Sequence, residues 1–282
     1  MLILLDFSQI VFSSALDYFY QTKSQMTLEL TRHIVLRNII SFKKKFRGEN
    51  SDIVICCDGK NYWRKTVFPF YKQNREKTRT KDSFDWETFY TYFNQIKHEL
   101  TNDLPFKIIE VEGCEADDVI AVLTKFQYPH QDKIFIVSSD KDFIQLQKKY
   151  PKIKQWSPKV KKYINEQTNQ YNLIEHIVKG DSGDGIPNIL SDDDVFITEK
   201  RSKSVYKKDL EQWKMKEPEE YCSEKMLERF YRNKRLIDLN EIPQQQVELI
   251  IETFNSLPIK KVYVFNYLVR HKITKIMESG EL

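Results

Sequence analysis

Four short apolar runs, each delivering acidic residues at or just past its end, set the tightest limit on what this chain can fold into. Leu2-Ile3-Leu4-Leu5 runs into Asp6, and Ile53-Val54-Ile55-Cys56-Cys57 runs into Asp58. Phe106-Lys107-Ile108-Ile109-Glu110-Val111 leads to a segment holding Glu115, Asp117 and Asp118, and Ile134-Phe135-Ile136-Val137 leads to Asp140 and Asp142. Runs this short, and mostly without polar alternation, suit strands buried on both faces. Helical spacing separates them. Leu28, Leu30, Ile34, Val35, Ile39, Ile40 and Phe42 form one stripe over 27–47, with Lys43-Lys44-Lys45 as a basic turn that suits a helix C-terminus. Trp86, Phe89, Tyr90, Phe93, Ile96 and Leu100 form another from Asp85 to Leu100, and shorter helices are expected near 117–126 and 143–146. This alternation predicts an α/β fold with a mostly parallel central sheet flanked by helices. Functional groups in such sheets gather outside the carboxyl ends of the strands. One aspartate after a strand is ordinarily a turn or N-cap residue. Four strands that all end in acids point to a shared site.

Past residue 163 the pattern turns helical, over 172–179, 205–213, 219–236, 243–256 and 260–278, with a polar, irregular stretch at 191–204. Gly180-Asp181-Ser182-Gly183-Asp184-Gly185-Ile186-Pro187 reads as a tight turn that exposes backbone amides. The expected division is an α/β domain over 1–180, with a basic, helical arch segment at about 60–104, and a helical domain over 181–282. A chain of 282 residues accommodates both. No apolar run approaches the roughly 18 residues of a membrane span. The start, Met1-Leu2-Ile3-Leu4-Leu5-Asp6, lacks the basic n-region of a signal peptide, so a cytoplasmic location is expected. Cys56, Cys57, Cys114 and Cys222 offer no paired zinc spacing and read as buried free thiols.

Net charge is only +4, but the basic residues are bunched. Residues 60–81 carry eight Lys or Arg against Glu76, 141–162 carry eight lysines against Asp142, and 200–216 carry seven basic residues against two acids. A single basic run is as often a solvated face. Three of them beside an acid cluster suggest a polyanion approaching a cation-loaded centre. A cluster of carboxylates without Cys or His suits hard cations, and Mg²⁺ prefers such oxygen ligands and keeps several of its waters. Two ions about 4 Å apart can activate water against a phosphodiester and stabilise the leaving oxygen. The alternatives are a surface acidic patch or incidental calcium binding.

Three segments carry a resemblance. Glu115-Ala116-Asp117-Asp118, Ser138-Ser139-Asp140-Lys141-Asp142 and the Gly180–Pro187 turn, in this order and with Asp6 and Asp58 upstream, resemble the 5′-nuclease family. That family includes flap endonucleases, the 5′-nuclease domain of bacterial DNA polymerase I and phage 5′-to-3′ exonucleases. The resemblance covers nearly the whole chain, and residues 230–282 are similar to the helical C-terminal part of T-even phage members. It implies that Asp6, Asp58, Glu115, Asp117 and Asp140 surround a first Mg²⁺, and that Asp142, Asp181 and Asp184 serve a second, with Mn²⁺ as a substitute. Asp118 belongs to the same acidic run and either joins the metal set or orients a neighbour. The Tyr-Lys-x-x-Arg pattern at the base of the family's helical arch falls on Tyr71, Lys72 and Arg75. Lys72 and Arg75 would then grip the scissile phosphate, with Arg64 and Lys65 as further phosphate contacts. The Gly180–Pro187 turn resembles the start of an element that holds duplex DNA by its backbone. Its continuation, Asn188-Ile189-Leu190-Ser191-Asp192-Asp193-Asp194, departs from the family's glycine-rich hairpin, so monovalent-cation binding there is not implied. The 192–194 acids read as a solvated loop, and Lys200, Arg201, Lys203, Lys207 and Lys208 as duplex contacts.

The resemblance implies a Mg²⁺-dependent, monomeric 5′-to-3′ exonuclease or flap endonuclease acting on flapped, forked or 5′-ended DNA and RNA–DNA hybrids. It further implies removal of RNA primers during phage replication in the infected cell, and a single-stranded-DNA-binding protein as partner of the C-terminal helices. Two rival readings are a toxin-like RNA-cutting metal nuclease and a branched-DNA-binding protein without catalysis.

Overall fold

The computed structural model describes residues 1–46, 51–80, 83–198, 200–257 and 264–273. The elements in chain order are β1 (Leu2–Asp6), α1 (Phe7–Thr22), α2 (Leu28–Lys45), β2 (Asp52–Cys57), α3 (Trp63–Val67), α4 (Gln73–Thr80), α5 (Trp86–Asp103) and β3 (Lys107–Glu110). There follow α6 (Ala116–Gln127), β4 (Ile134–Val137), α7 (Ile144–Lys149), β5 (Ile153–Ser157), β6 (Lys162–Ile164), α8 (Glu166–Asn169), α9 (Leu173–Lys179) and α10 (Lys207–Trp213). The remainder is α11 (Pro218–Tyr221), α12 (Glu224–Ile237), α13 (Gln244–Ser256) and α14 (Val264–Arg270). The chain divides into two units. Unit 1 comprises 1–60, 83–165 and 245–282, and unit 2 comprises 61–82 and 166–244. The boundary expected at 180/181 falls inside unit 2, which also takes the segment 61–82.

Unit 1 is built on a six-stranded sheet of order β3-β2-β1-β4-β5-β6. All neighbours are parallel except β5 and β6, so the sheet is mostly parallel, as expected. β1 is central and buried along its whole length, which explains its unbroken apolar sequence. The chain leaves β1 to build β2 and β3 on one side, then returns to place β4 on the other. That reversal opens the crevice beside the carboxyl end of β1. Ile3 and Leu5 turn to a core shared with Val35, Leu36 and Ile39 of α2 and Phe89, Phe93 and Ile96 of α5. Helix α2 begins at Thr27, whose side chain accepts from Leu30 N at 3.2 Å, and ends on Lys43–Lys45. Helix α1 and strands β5 and β6 carry no periodicity signal that the sequence reading caught. Half of α1 is aromatic or serine, and β5 alternates Lys154, Gln155 and Trp156. Of the helix expected over 260–278, α14 covers Val264–Arg270 and the chain turns out of helix over 271–273, while 260–263 and 274–278 lie outside the described residues.

A buried ion pair links three helices of unit 1. Arg32 pairs bidentately with Glu99, Nε to Oε2 at 2.7 Å and Nη2 to Oε1 at 2.8 Å. Tyr267 of α14 donates its hydroxyl to Glu99 Oε2 at 2.7 Å, and Gln95 adds a bond to Oε1 at 3.1 Å. All four carboxylate-directed donors come from helices, so the pair stitches α2, α5 and α14 together.

Unit 2 is helical. Ile177 and Val178 of α9 pack with Phe230, Leu236 and Ile237 of α12, together with Phe68, Tyr71, Ile186 and Ile189. Asn233 of α12 is fully buried and donates to Ile177 O at 2.9 Å and Pro187 O at 2.8 Å. It thereby ties the end of the Gly180–Pro187 turn to the helix core.

Candidate functional site

The register of the sheet brings the strand-end acids of unit 1 to one edge. Asp6 lies opposite Cys56 of β2, two residues before Asp58, and Leu5 lies opposite Val137 of β4, three residues before Asp140. Asp6 is also the N-cap of α1, accepting from Gln9 N at 3.1 Å. The helix therefore starts without a loop, and the carboxylate is fixed where strand meets helix. Its other oxygen accepts from Ser138 Oγ at 2.9 Å, and Asp140 N donates to the same Ser138 Oγ at 3.1 Å. Asp140 Oδ1 in turn accepts from Asp142 N at 2.9 Å, so Asp142 hangs from the same chain of bonds.

A second group forms around the N-terminus of α6. Glu115 caps the helix in a reciprocal box, with Asp118 Oδ2 accepting from Glu115 N at 2.9 Å. Asp58 accepts from Ala116 N at 2.9 Å and from Ser8 Oγ at 2.6 Å. The positive end of the α6 dipole thus faces Asp58, Glu115, Asp117 and Asp118. Gly59 allows the close approach that this needs, since a Cβ there would stand 2.0 Å from Val111 O.

Burial makes these acids costly. Asp6 is 6% exposed, Glu115 2% and Asp118 0%. Burial, then the neighbouring Cys57 thiol and the Asp6 and Asp117 carboxylates, pushes the Cys56 thiol well above its ordinary value. The negative field of the site therefore reaches into the sheet, and Cys56 stays a neutral thiol. Among the described residues no three His, Cys, Asp or Glu side chains close around a single metal position. The acids turn instead onto hydroxyl and amide donors. Their all-oxygen chemistry fits a hard divalent cation. Mg²⁺ takes one or two carboxylates directly and reaches others through its own waters, which suits a spread set. Asp118 uses its Oδ2 in the helix cap, which fixes the backbone of Glu115.

Several residues that position this network were not among the predicted site residues, although Ser138 lies in the Ser138-Ser139-Asp140-Lys141-Asp142 motif. Ser8, Gln9, Ser138 and Gln155 position the acids. Gln9 Oε1 accepts from Ser139 N, and the fully buried Gln155 donates to Ser138 O at 3.0 Å and to Asp140 O. Ser8 sits two residues past Asp6, and Gln155 breaks an otherwise strand-like stretch.

The remaining expected residues lie in unit 2. Tyr71 is buried and donates its hydroxyl to Asp184 Oδ2 at 3.0 Å. Lys72 Nζ stands 3.7 Å from that oxygen, and Arg75 pairs with Asp184 Oδ1 while its Nε donates to Gly183 O at 3.1 Å. Lys72 N donates to Asp184 O at 2.8 Å, and Asn74 Nδ2 to Ser182 O at 2.6 Å. The start of α4 and the glycine-rich turn are thus clamped together, with Lys72 and Arg75 gathered on one carboxylate. Asp181 accepts from Gly183 N at 2.7 Å and Asp184 N at 3.2 Å, and faces His176 Nε2 at 3.5 Å. The His176 bond, opposed by burial and aided by the two amides, holds the Asp181 carboxyl below its usual value. Both aspartates, expected at a second metal, have their hydrogen-bond and ion-pair partners inside unit 2.

Arg64 departs from its expected phosphate contact. It is 3% exposed, donates from Nε to Leu236 O at 2.9 Å and lies 4.5 Å over the Trp63 ring. A guanidinium held this way braces α3 against α12. Lys65, Arg201 and Lys203 are exposed, and Lys200 is exposed and paired with Asp194 at 3.1 Å.

Known proteins resemble this chain over nearly its whole length. Residues 1–177 match the 5'-3' exonuclease N-terminal resolvase-like domain, and residues 167–281 match the C-terminal domain of T4 RNase H. Ribonuclease H of Enterobacteria phage T4 is 32% identical over 98% of this chain and 93% of its own length. Flap endonuclease Xni of Shewanella sp. strain MR-4 is 34% identical over 49% of this chain, which spans 52% of that protein. Among solved structures, the T5 D15 protein crystallised with metal ions superposes with a TM-score of 0.64, covering 90% of this chain and 97% of that one at 16% identity. With a resolvase-like exonuclease domain over 1–177 and a T4-type C-terminal domain following it, the chain belongs to the 5'-3' exonuclease family.

Proposed function

We propose that this chain is a divalent-cation-dependent 5′-nuclease that hydrolyses phosphodiesters at 5′ flaps and 5′ ends of DNA and of RNA–DNA hybrids. The observation that carries this reading is the strand-end acid network: Asp6, Asp58, Glu115 and Asp140 on one sheet edge, each held by a hydroxyl, an amide or a helix N-terminus. Asp6, Asp58, Glu115, Asp117 and Asp140 hold the cation, directly or through water, and Asp142 lies beside them. Mg²⁺, when bound there, polarises the phosphodiester and activates water.

The chain's own residues do the rest. Ser138 orients Asp6 and Asp140 by one shared hydroxyl, and Ser8 orients Asp58. Lys72 and Arg75 bind the phosphate and offset charge that develops on it, Arg75 supplying a planar fork that matches two phosphate oxygens. In the resting arrangement Asp184 keeps both cations gathered, and we assign it the role of their counter-ion. Lys65, Lys200, Arg201 and Lys203 add backbone contacts that carry little sequence information. The role in replication is primer removal in the cytoplasm of the phage-infected cell. A single-stranded-DNA-binding partner suits the C-terminal helices, where Phe265 and Val269 of α14 are 66% and 50% exposed one helical turn apart.

The test is cleavage of an end-labelled 5′-flapped duplex with Mg²⁺, with product lengths resolved. Short 5′ products that vanish with EDTA are expected. Asp140→Asn should lose cleavage by about 10³-fold or more while still binding the substrate. Undiminished turnover by that variant would remove Asp140 from the site.

A further inference from the structure

Unit 2 carries a run of three aspartates in a loop without regular structure, and each is bonded to a cation. Arg229 Nη2 donates to Asp192 Oδ1 at 2.8 Å, and Arg229 Nε stands 3.4 Å from Asp193 Oδ1. Arg232 Nη1 donates to the same Asp193 oxygen, and Lys200 Nζ donates to Asp194 Oδ2 at 3.1 Å. The Arg229 bond and charge, then the charges of Lys203 and Lys200, hold the Asp192 carboxyl below its usual value. Four cations thus converge on one short loop. The loop and the lysine segment are themselves tied, Asn188 Nδ2 to Lys203 O at 2.8 Å and Lys203 N to Ser191 Oγ at 2.9 Å.

The two sides of these pairs are not built alike. Arg229 and Arg232 lie three residues apart on α12, and their side chains are 17% and 11% exposed. Arg232 sits 4.6 Å over the Phe68 ring, and both its Nε and Nη2 donate to Asn233 Oδ1, the same Asn233 that is bonded to Ile177 and Pro187. The carboxylates of Asp192 and Asp193, by contrast, are 64% and 50% exposed. The guanidiniums are fixed and partly desolvated, so their position calls for an anion. The carboxylates that meet this need are loosely placed. Exposed ion pairs contribute little and are screened by salt. A guanidinium takes phosphate oxygens in the same geometry as carboxylate oxygens.

We propose that Asp192, Asp193 and Asp194 form a displaceable anionic cover over a phosphate-binding patch of Arg229, Arg232, Lys200 and Lys203, whose ligand is the sugar–phosphate backbone of a nucleic acid. The carboxylates occupy the positions that phosphate oxygens take, and binding exchanges one for the other. A backbone presents several phosphates at once and releases counterions as it docks, which single carboxylates cannot match. Taking the polyanion to be nucleic acid rests on the nuclease reading above.

The experiment is a binding titration of the full chain against a fluorescent 5′-flapped duplex in EDTA, followed by anisotropy over a range of salt. The double variant Asp192→Asn, Asp193→Asn should bind about threefold or more tightly at low salt, with a log–log salt slope steeper by about 1 to 2. Arg229→Ala should bind several-fold more weakly, with a slope shallower by about 1. If the asparagine variant melts earlier but binds with unchanged affinity and slope, the acids only staple the loop and the proposal is overturned. Should that variant not fold, Arg229→Ala decides, and unchanged binding by it is equally fatal. An unsubstituted chain that binds no nucleic acid would bring down the nuclease reading and this one together, whereas normal binding with unmoved variants removes the cover alone.

Discussion

Ser138 shows how much of this site depends on residues that carry no charge. Its hydroxyl is fully buried, donates to Asp6 and accepts from Asp140 N, so one oxygen sets the spacing of two acids from different strands. Ser138→Ala should lower Mg²⁺-dependent cleavage by about 10- to 100-fold, with part of the loss recovered at higher Mg²⁺. A cleavage assay over a Mg²⁺ series reads both effects, and a rate that stays at the parent level throughout would show that Ser138 sets nothing. The acids themselves were legible because four strands ended in them. Ser8, Gln9 and Gln155 were not, because a serine or glutamine gives no signal until its partner's position is known, and Ser138 was legible as part of a motif but not in its role. Arg64 shows the converse: it lies in a basic run, yet the fold buries it against Leu236 O, and composition cannot separate the two fates.

At the scale of elements, the α/β alternation was readable from apolar runs, while the short pieces were not. Helix α4 has no apolar stripe, and it is placed by Asn74, Arg75 and the backbone of Lys72 reaching the Gly180–Pro187 turn. Asp184→Asn tests what its carboxylate does. As counter-ion of Lys72 and Arg75 its loss should raise KM for the flap several-fold, with a deficit that extra Mg²⁺ does not repair. Full repair by Mg²⁺ would return Asp184 to the metal set. The turn depends on backbone conformation as well. Gly180 has φ +66°, and a Cβ there would stand 2.3 Å from Ile186 O. Gly180→Ala should therefore destabilise the protein by about 1–3 kcal/mol, read by chemical denaturation.

Across the whole chain, the division into units was the least legible feature. Each unit is assembled from separate stretches of sequence, 61–82 joining 166–244 and 245–282 joining 1–60 and 83–165. The basic run at 60–81 and the helical pattern past 163 mark the first two stretches, but nothing in the local pattern says that they belong together or that 245–282 returns to unit 1. The Arg32–Glu99–Tyr267 group is the clearest energetic consequence. Burial pushes the Glu99 carboxyl up, but the bonds from Arg32 and Tyr267 and the Arg32 charge outweigh it and hold the pKa below the usual value. A carboxyl held down in the folded state adds stability that is complete above its unfolded pKa, about 4.3, and is lost as pH falls through the folded value. Glu99→Gln leaves Arg32 buried without its counter-charge and should cost about 3–5 kcal/mol at neutral pH. Urea unfolding at neutral pH and below pH 4 should show the variant's deficit shrinking in acid. A deficit that stays constant across that range would mean that the charge on Glu99 contributes nothing.

Tyr267 also fixes an order of events during synthesis. Arg32 and Glu99 leave the ribosome well before the hydroxyl that completes their bonding, and at about 5–20 residues per second the interval is roughly ten to thirty seconds. Through that interval the sheet edge with Asp6, Asp58, Glu115 and Asp140 can already assemble, since β1 to β4 precede α13 and α14 in the chain. The strands that carry the acidic edge are thus synthesised before α14, whose Tyr267 completes the bonding between α2 and α5.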